Sequence, residues 1–197
     1  MQGEDALLII DVQNDFCPGG ALPVTDGDKV VPALNRYIER FKKAGRPIFA
    51  TRDWHPEKTR HFKAYGGLWP PHCIQGTKGA EFRPELRLPG DAVIVSAGMA
   101  SDEEGYSGFE GRDDRGSGLA QLLRRHGVER IFVGGLATDY CVKHTVLDGL
   151  KHGFTVVVLG DAVRGVNLQP DDSERAIAEM MRAGAEKISG VDGLPQR

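Results

Sequence analysis

The chain has 197 residues, 40% of them hydrophobic, and a net charge of −3; this is enough to bury the core of one domain without staples, and too apolar for a disordered chain. Lys and Arg are interspersed with acidic residues throughout, which excludes the clustered basic surface that nucleic acid or an anionic membrane requires. No apolar run approaches the ~20 residues of a membrane span, and the acidic start Met1-Gln2-Gly3-Glu4-Asp5 lacks the pattern of a signal peptide. Three scattered cysteines, Cys17, Cys73 and Cys141, make no disulfide framework. A cytoplasmic protein with free thiols is expected.

Strand-length apolar runs alternate with segments of helical period. Ala6 to Asp11 predicts a buried strand. Asp26 to Ala44 predicts a helix, with Val30, Val31, Leu34, Ile38 and Phe41 on one face and Gly45 ending it. Pro47 to Thr51 predicts a second strand. An irregular stretch rich in Pro, Gly and His runs from Arg52 to Gly90; so long a loop in a compact domain is usually functional. Ala92 to Ser96 predicts a third strand, Leu119, Leu122 and Leu123 a helix, and Arg130 to Gly134 a fourth strand. Asp139 to His152 predicts a helix, Thr155 to Leu159 a fifth strand, Ser173 to Ala183 the last helix, and Glu186 to Ser189 a short edge strand. The alternation predicts a single α/β domain over residues 1–197, built on a mainly parallel sheet covered by helices on both faces.

In such sheets, ligands bind beyond the carboxyl ends of the strands. Asp11 follows the first strand, Asp53 the second and Ala97 the third, while the fourth leads to Cys141. Cys141 falls in the first turn of a predicted helix, where backbone amides stabilise a thiolate and can hold an oxyanion. Asp11 can serve as its base. The residues alone leave two readings open: a nucleophile with its base, or a buried structural cysteine with an acid that caps a turn.

Asp53 and His55 are two apart, so an extended segment points both the same way. With His72 they can bind Zn, Fe(II) or Mn and leave positions open. One Asp-x-His pair is a weak signal. His61, His126, His144 and His152 read as surface or core-edge residues, with His61 alone among them close enough in sequence to be a spare ligand. Phe16, Trp54, Trp69, Tyr106 and Tyr140 recur in the same loops and suit either a flat-ring pocket or ordinary packing. There is no phosphate-binding loop, no GxGxxG after a strand and no GxSxG elbow.

Five segments, Asp11 to Gly20, Arg52 to Pro56, Trp69 to Cys73, Tyr106 to Phe109 and Gly135 to Val142, together resemble the nicotinamidase (pyrazinamidase) family of isochorismatase-like cysteine hydrolases, in the family's order. The resemblance implies a doubly wound sheet of about six strands. It implies one divalent metal ion, zinc first and Fe or Mn as substitutes, on Asp53, His55 and His72. It implies an oxyanion hole from the amides of Ala137 and Cys141, a cis peptide at Leu136–Ala137, and a ring pocket from Phe16, Trp69, Tyr106 and Tyr140. The implied reaction hydrolyses nicotinamide, with pyrazinamide as a related substrate, to the acid and ammonia through a Cys141 thioester in NAD salvage. The implied assembly is a homo-oligomer, with a dimer favoured.

The family triad is Asp, Lys and Cys. Here Val95-Ser96-Ala97-Gly98 stands where the family has a lysine in third place, so Ala97 occupies the lysine position. Lys63 and Lys78 lie on the long loop and do not obviously replace it. Losing that cation should raise the pKa of both Asp11 and Cys141, and a rate loss of about 10²–10⁴ is expected. Two other readings remain: a superfamily amidase for carbamoyl or ureido substrates, or a non-catalytic nicotinamide- or nicotinate-binding protein.

Overall fold

The computed structural model describes residues 4–194; the first three residues of the acidic N-terminal start lie outside them. Six parallel strands form one sheet: β1 (Glu4–Ile10), β2 (Ile48–Asp53), β3 (Val93–Ala97), β4 (Val128–Leu136), β5 (Thr155–Arg164) and β6 (Glu186–Ile188). Their spatial order is β3-β2-β1-β4-β5-β6, a doubly wound arrangement whose direction of winding reverses between β1 and β4. In sheets of this kind ligands bind in the crevice beyond such a pair, and here Asp11 and the turn holding Cys141 follow the carboxyl ends of β1 and β4.

Four helices cover the sheet: α1 (Val30–Lys43), α2 (Leu119–Arg125), α3 (Lys143–Lys151) and α4 (Asp172–Arg182). Alternation along β1 assigns the faces. Leu7 and Ile9 pack with Leu34, Tyr37, Ile38 and Phe41 of α1, whereas Ala6, Leu8 and Ile10 pack with Leu119 and Leu123 of α2, Val146 of α3 and Met180 of α4. Because β1 is buried on both faces, its sequence is continuously apolar.

β4 begins two residues before the predicted strand, because Glu4 pairs with Val128. β5 runs past the predicted end at Leu159. Its pairing with β4 shifts register and resumes at Gly135–Val163 and Leu136–Arg164, so Gly160-Asp161 is an irregularity within the strand rather than its end. Gly135 (φ 129°) needs to be glycine, since a Cβ there would lie 2.1 Å from the Ile10 carbonyl oxygen.

The long loop from β2 to β3 is irregular but anchored. Bridges join His55 to Ile74, Phe62 to Trp69 and Gln13 to Phe82. They fold the loop back over the carboxyl end of the sheet.

Candidate active site

Cys141 sits in a π-helical turn, Thr138–Val142, that precedes α3, and not in a regular first α-turn as the sequence predicts. Such turns recur at functional sites. The Leu136–Ala137 peptide is cis. The Ala137 carbonyl accepts from the amides of Tyr140 and Val142, both at 3.1 Å, which closes the turn around Cys141.

The Cys141 sulfur and a carboxylate oxygen of Asp11 lie within 4.8 Å of each other. Asp11 adopts a left-handed φ of 49°, and its Oδ1 accepts from the Thr51 hydroxyl at 2.6 Å. Both groups are buried. Burial pushes the Asp11 carboxyl well above the usual carboxylate range, and the Asp53 charge pushes it further; the Thr51 hydroxyl and the Cys141 thiol only partly oppose this. Burial likewise pushes the Cys141 thiol well up, with Asp11 and Asp53 adding to the effect. The neighbours acting most strongly on the pair are therefore carboxylates, not a cation. Ala97 is buried at the end of β3, paired in register with Asp53. Lys63 and Lys78 are exposed and do not take the lysine's place.

Next to this pair lies the histidine cluster. His55 Nε2 is 3.5 Å and His72 Nε2 3.7 Å from Asp53 Oδ2. The Nδ1 atoms of both rings point to backbone carbonyls, of Gly98 at 3.1 Å and Pro70 at 2.8 Å. That fixes the tautomer and leaves each Nε2 lone pair facing the cluster. Asp53 Oδ1 and His55 Nε2 are buried without a hydrogen-bond partner, an arrangement that costs free energy unless something fills it. A divalent cation with nitrogen and oxygen ligands fits these orphaned atoms. Burial raises the Asp53 carboxyl, but the neighbouring imidazoles of His55 and His72 outweigh it and hold it below the usual range. Gly98 (φ 65°) allows the close approach, because a Cβ there would meet His55 Cε1 at 2.4 Å.

His61 belongs to this cluster too. It is buried, stacks on His55 with centroids 4.5 Å apart, and offers a ligand atom within 4.8 Å of those of His55 and His72. The sequence reading set it among spare or surface histidines; its partner Glu104, at 2.9 Å from Nδ1, comes from a distant loop and gives no local signal. His126 and His152 are exposed and His144 is half-buried, as their sequence context predicts.

The four pocket aromatics converge. Trp69 Nε1 donates to the Tyr106 hydroxyl at 2.9 Å, Tyr140 meets Trp69 edge-on at 4.8 Å, and Phe16 tilts against His72 at 5.4 Å. Together with Asp53, His61, Cys141 and Ala137 they line one small pocket. Trp54 instead lies under the Arg52 guanidinium, 3.8 Å from its ring, outside this pocket.

The isochorismatase domain signature matches residues 5–191. The chain belongs to the isochorismatase family. Within that family, it is 42% identical to the nicotinamidase of Escherichia coli over 95% of each chain. Among solved structures, the pyrazinamidase of Pyrococcus horikoshii in complex with zinc is 52% identical with a TM-score of 0.87, covering 94% of this chain and 99% of that one. The PnC1 protein from L. infantum in complex with nicotinate is 36% identical with a TM-score of 0.83, covering 95% of this chain and 93% of that one.

The roles of two further residues give no local signal in the sequence, because they are made by backbone contacts. Gln13 clamps the Asp53 backbone. Asp139 accepts from the amides of Val166 and Asn167 at 2.9 and 2.7 Å, which holds Val166 in the pocket lining.

Proposed function

We propose that this chain is a nicotinamidase, hydrolysing nicotinamide to nicotinate and ammonia in NAD salvage, whose turnover is weakened by alanine at position 97. One observation carries the reading: Cys141, Asp53 and His72 line one pocket with Trp69, Tyr106, Tyr140 and Phe16, while Asp11 lies within 4.8 Å of Cys141 and Asp53, and His55 within 4.8 Å of His72, just behind that lining. The likeness to nicotinamidases supports it.

In the lysine-containing form of this site, Asp11 takes the Cys141 proton and the thiolate attacks the carboxamide carbon. The amides of Ala137 and Cys141 receive the oxyanion. Asp11 returns its proton to the departing nitrogen, which leaves as ammonia, and a thioester remains on Cys141. Asp11 then takes a proton from water as the water adds to the thioester. Collapse breaks the C–S bond, releases nicotinate, and the proton returns to Cys141. The aromatic side chains hold the ring flat while these transfers occur.

A divalent metal ion, zinc first with Fe(II) or Mn(II) as substitutes, would be held by Asp53, His55 and His72, with His61 beside them. It would supply a Lewis acid that anchors the pyridine nitrogen.

Ala97 leaves this cycle short of a charge. With both pKa values pushed up, the pair tends to hold two protons where the first step needs one of them gone. That same feature favours a second reading, a nicotinamide- or nicotinate-binding protein without turnover.

Ammonia release from nicotinamide by the metal-loaded chain and its Ala97→Lys variant, side by side, separates the two. A fast variant and a slow parent support the impaired nicotinamidase. Two inactive proteins that still bind nicotinamide favour the binding protein.

We infer further a single hydrolase domain over residues 1–197, cytoplasmic and assembling as a homodimer. The single sheet and the span of the family match support the first. No helix among the described residues is long and apolar enough to cross a membrane, which is compatible with the second. The dimer rests on the family resemblance.

A further inference from the structure

A second cavity, about 690 Å³, opens at the β3 edge of the sheet, away from Cys141. Four arginines, Arg52, Arg112, Arg115 and Arg125, border it against two aspartates, Asp113 and Asp114. Arg112 is paired with Glu103 at 2.9 Å. Among the described residues, Arg52 and Arg125 hydrogen-bond only to hydroxyls, of Ser96 and Ser117, at 2.9 and 3.1 Å, and no carboxylate pairs with either, although the Arg52 guanidinium also stacks on the Trp54 ring at 3.8 Å. Asp113 directs Oδ1 at the backbone amides of Arg115 and Ser117 rather than at a guanidinium.

A partly buried guanidinium without a carboxylate is costly unless an anion completes it. One wall of the cavity is apolar: Val93, Ile94, Met99 and Leu122 line it beside the Trp54 ring, with Ser96 and His126 at its polar side. A volume of this size suits a small organic ligand. The lining therefore combines unpaired guanidinium donors with a surface for a flat apolar body.

We propose that this groove binds a nucleoside phosphate, its phosphate on Arg52 and Arg125 and its base against the apolar wall. The groove is separate from the pocket over Cys141. Adjacent residues on a strand point to opposite faces, so Arg52 turns away from Asp53 and Ser96 away from Ala97. The ligand binds without displacing a molecule from the active-site pocket, and the proposal does not depend on the nicotinamidase reading.

Calorimetric titration of the full chain with AMP, adenosine and inorganic phosphate tests it. AMP is expected to bind saturably and more tightly than either fragment, with nicotinate unable to displace it. Arg125→Gln and Arg52→Gln should each weaken AMP about tenfold or more, the scale of one charge-assisted contact. Arg125 is exposed, so its variant tests the site even where Arg52→Gln disturbs the fold. No AMP binding at millimolar concentration overturns the proposal. So does AMP binding that both variants leave unchanged, or that nicotinate abolishes. Phosphate binding as tightly as AMP would overturn the nucleoside half and leave a site for the free ion.

Discussion

The side chain of Gln13 is bonded in both directions to the backbone of Asp53: Oε1 accepts from the Asp53 amide and Nε2 donates to the Asp53 carbonyl, each at 2.8 Å. A third bond, to the Ala80 carbonyl at 2.9 Å, ties the same amide to the long loop. Gln13 is fully buried, so it fixes the position from which Asp53 reaches the histidines. Groups that orient metal ligands typically contribute about 10–100-fold in affinity. Gln13→Leu is expected to weaken zinc binding by that factor, measured by competition with a chromophoric chelator. Unchanged affinity would show that Asp53 is held by other means. Gln13→Glu loses the donor and should fall on the same side.

The pair Asp11–Cys141 sets the pH dependence. Burial first, and then neighbouring carboxylates, push both groups up, so the reactive ionised form is gained as pH rises. Residual activity of this chain is expected to climb with pH. Ala97→Lys places a cation beside both groups and lowers both values, which moves the acid limb of the profile to lower pH and raises kcat/KM by about 10²–10⁴ near neutrality. The profile of kcat/KM for both proteins checks this. A rate gain with no movement of the acid limb would assign the lysine a role other than electrostatic.

Stability without metal should run the other way. Asp11 has a folded pKa raised above its unfolded value, so the folded state binds more protons between the two. Its favourable share is complete below the unfolded value and is lost as pH rises through the folded one. Asp11→Asn removes the group that must be ionised in a buried site beside Asp53. The metal-free variant is expected to melt above the parent at pH 8, and the gap should shrink toward pH 4. Metal loading should narrow it as well, because a cation offsets the Asp53 charge. Equal melting temperatures across that range would sink the idea.

Much of this was legible in the sequence because the relevant signals are local. Continuous apolar runs mark β1 and β4, a 3.6-residue period marks α1, and strand ends point to Asp11, Asp53 and Ala97. The aromatics Phe16, Trp69, Tyr106 and Tyr140 were legible only through the motifs around them, since each alone reads as packing. What stayed hidden depends on contacts between distant segments. His61 joins the cluster through a fold of the long loop, Gln13 acts on backbone 40 residues away, and β5 continues past Gly160-Asp161 because β4 pairs with it again. The π-helical turn at Cys141 has the composition of an ordinary helix start, so periodicity could not distinguish it.

Asp139 gives the last test. It stands two residues before Cys141, is buried, and accepts from two consecutive amides, Val166 and Asn167. Asn167 takes a left-handed φ of 52°, and its Oδ1 accepts from the Ser173 amide in the first turn of α4 at 2.9 Å. The carboxylate therefore ties the nucleophile turn to the loop that carries Val166 into the pocket lining. Charge-assisted hydrogen bonds contribute about 1.5–3 kcal/mol each, and a buried amide left without its acceptor adds its own cost. Asp139→Ala is expected to lower unfolding stability by about 2–5 kcal/mol and to weaken nicotinate binding, as Val166 loses its fixed place. Asp139→Asn keeps one good acceptor and should fall between. Urea denaturation and nicotinate titration on the same samples separate the effects. Lost stability with unchanged nicotinate affinity would mean that Val166 is held by its own packing, and that Asp139 serves the fold alone.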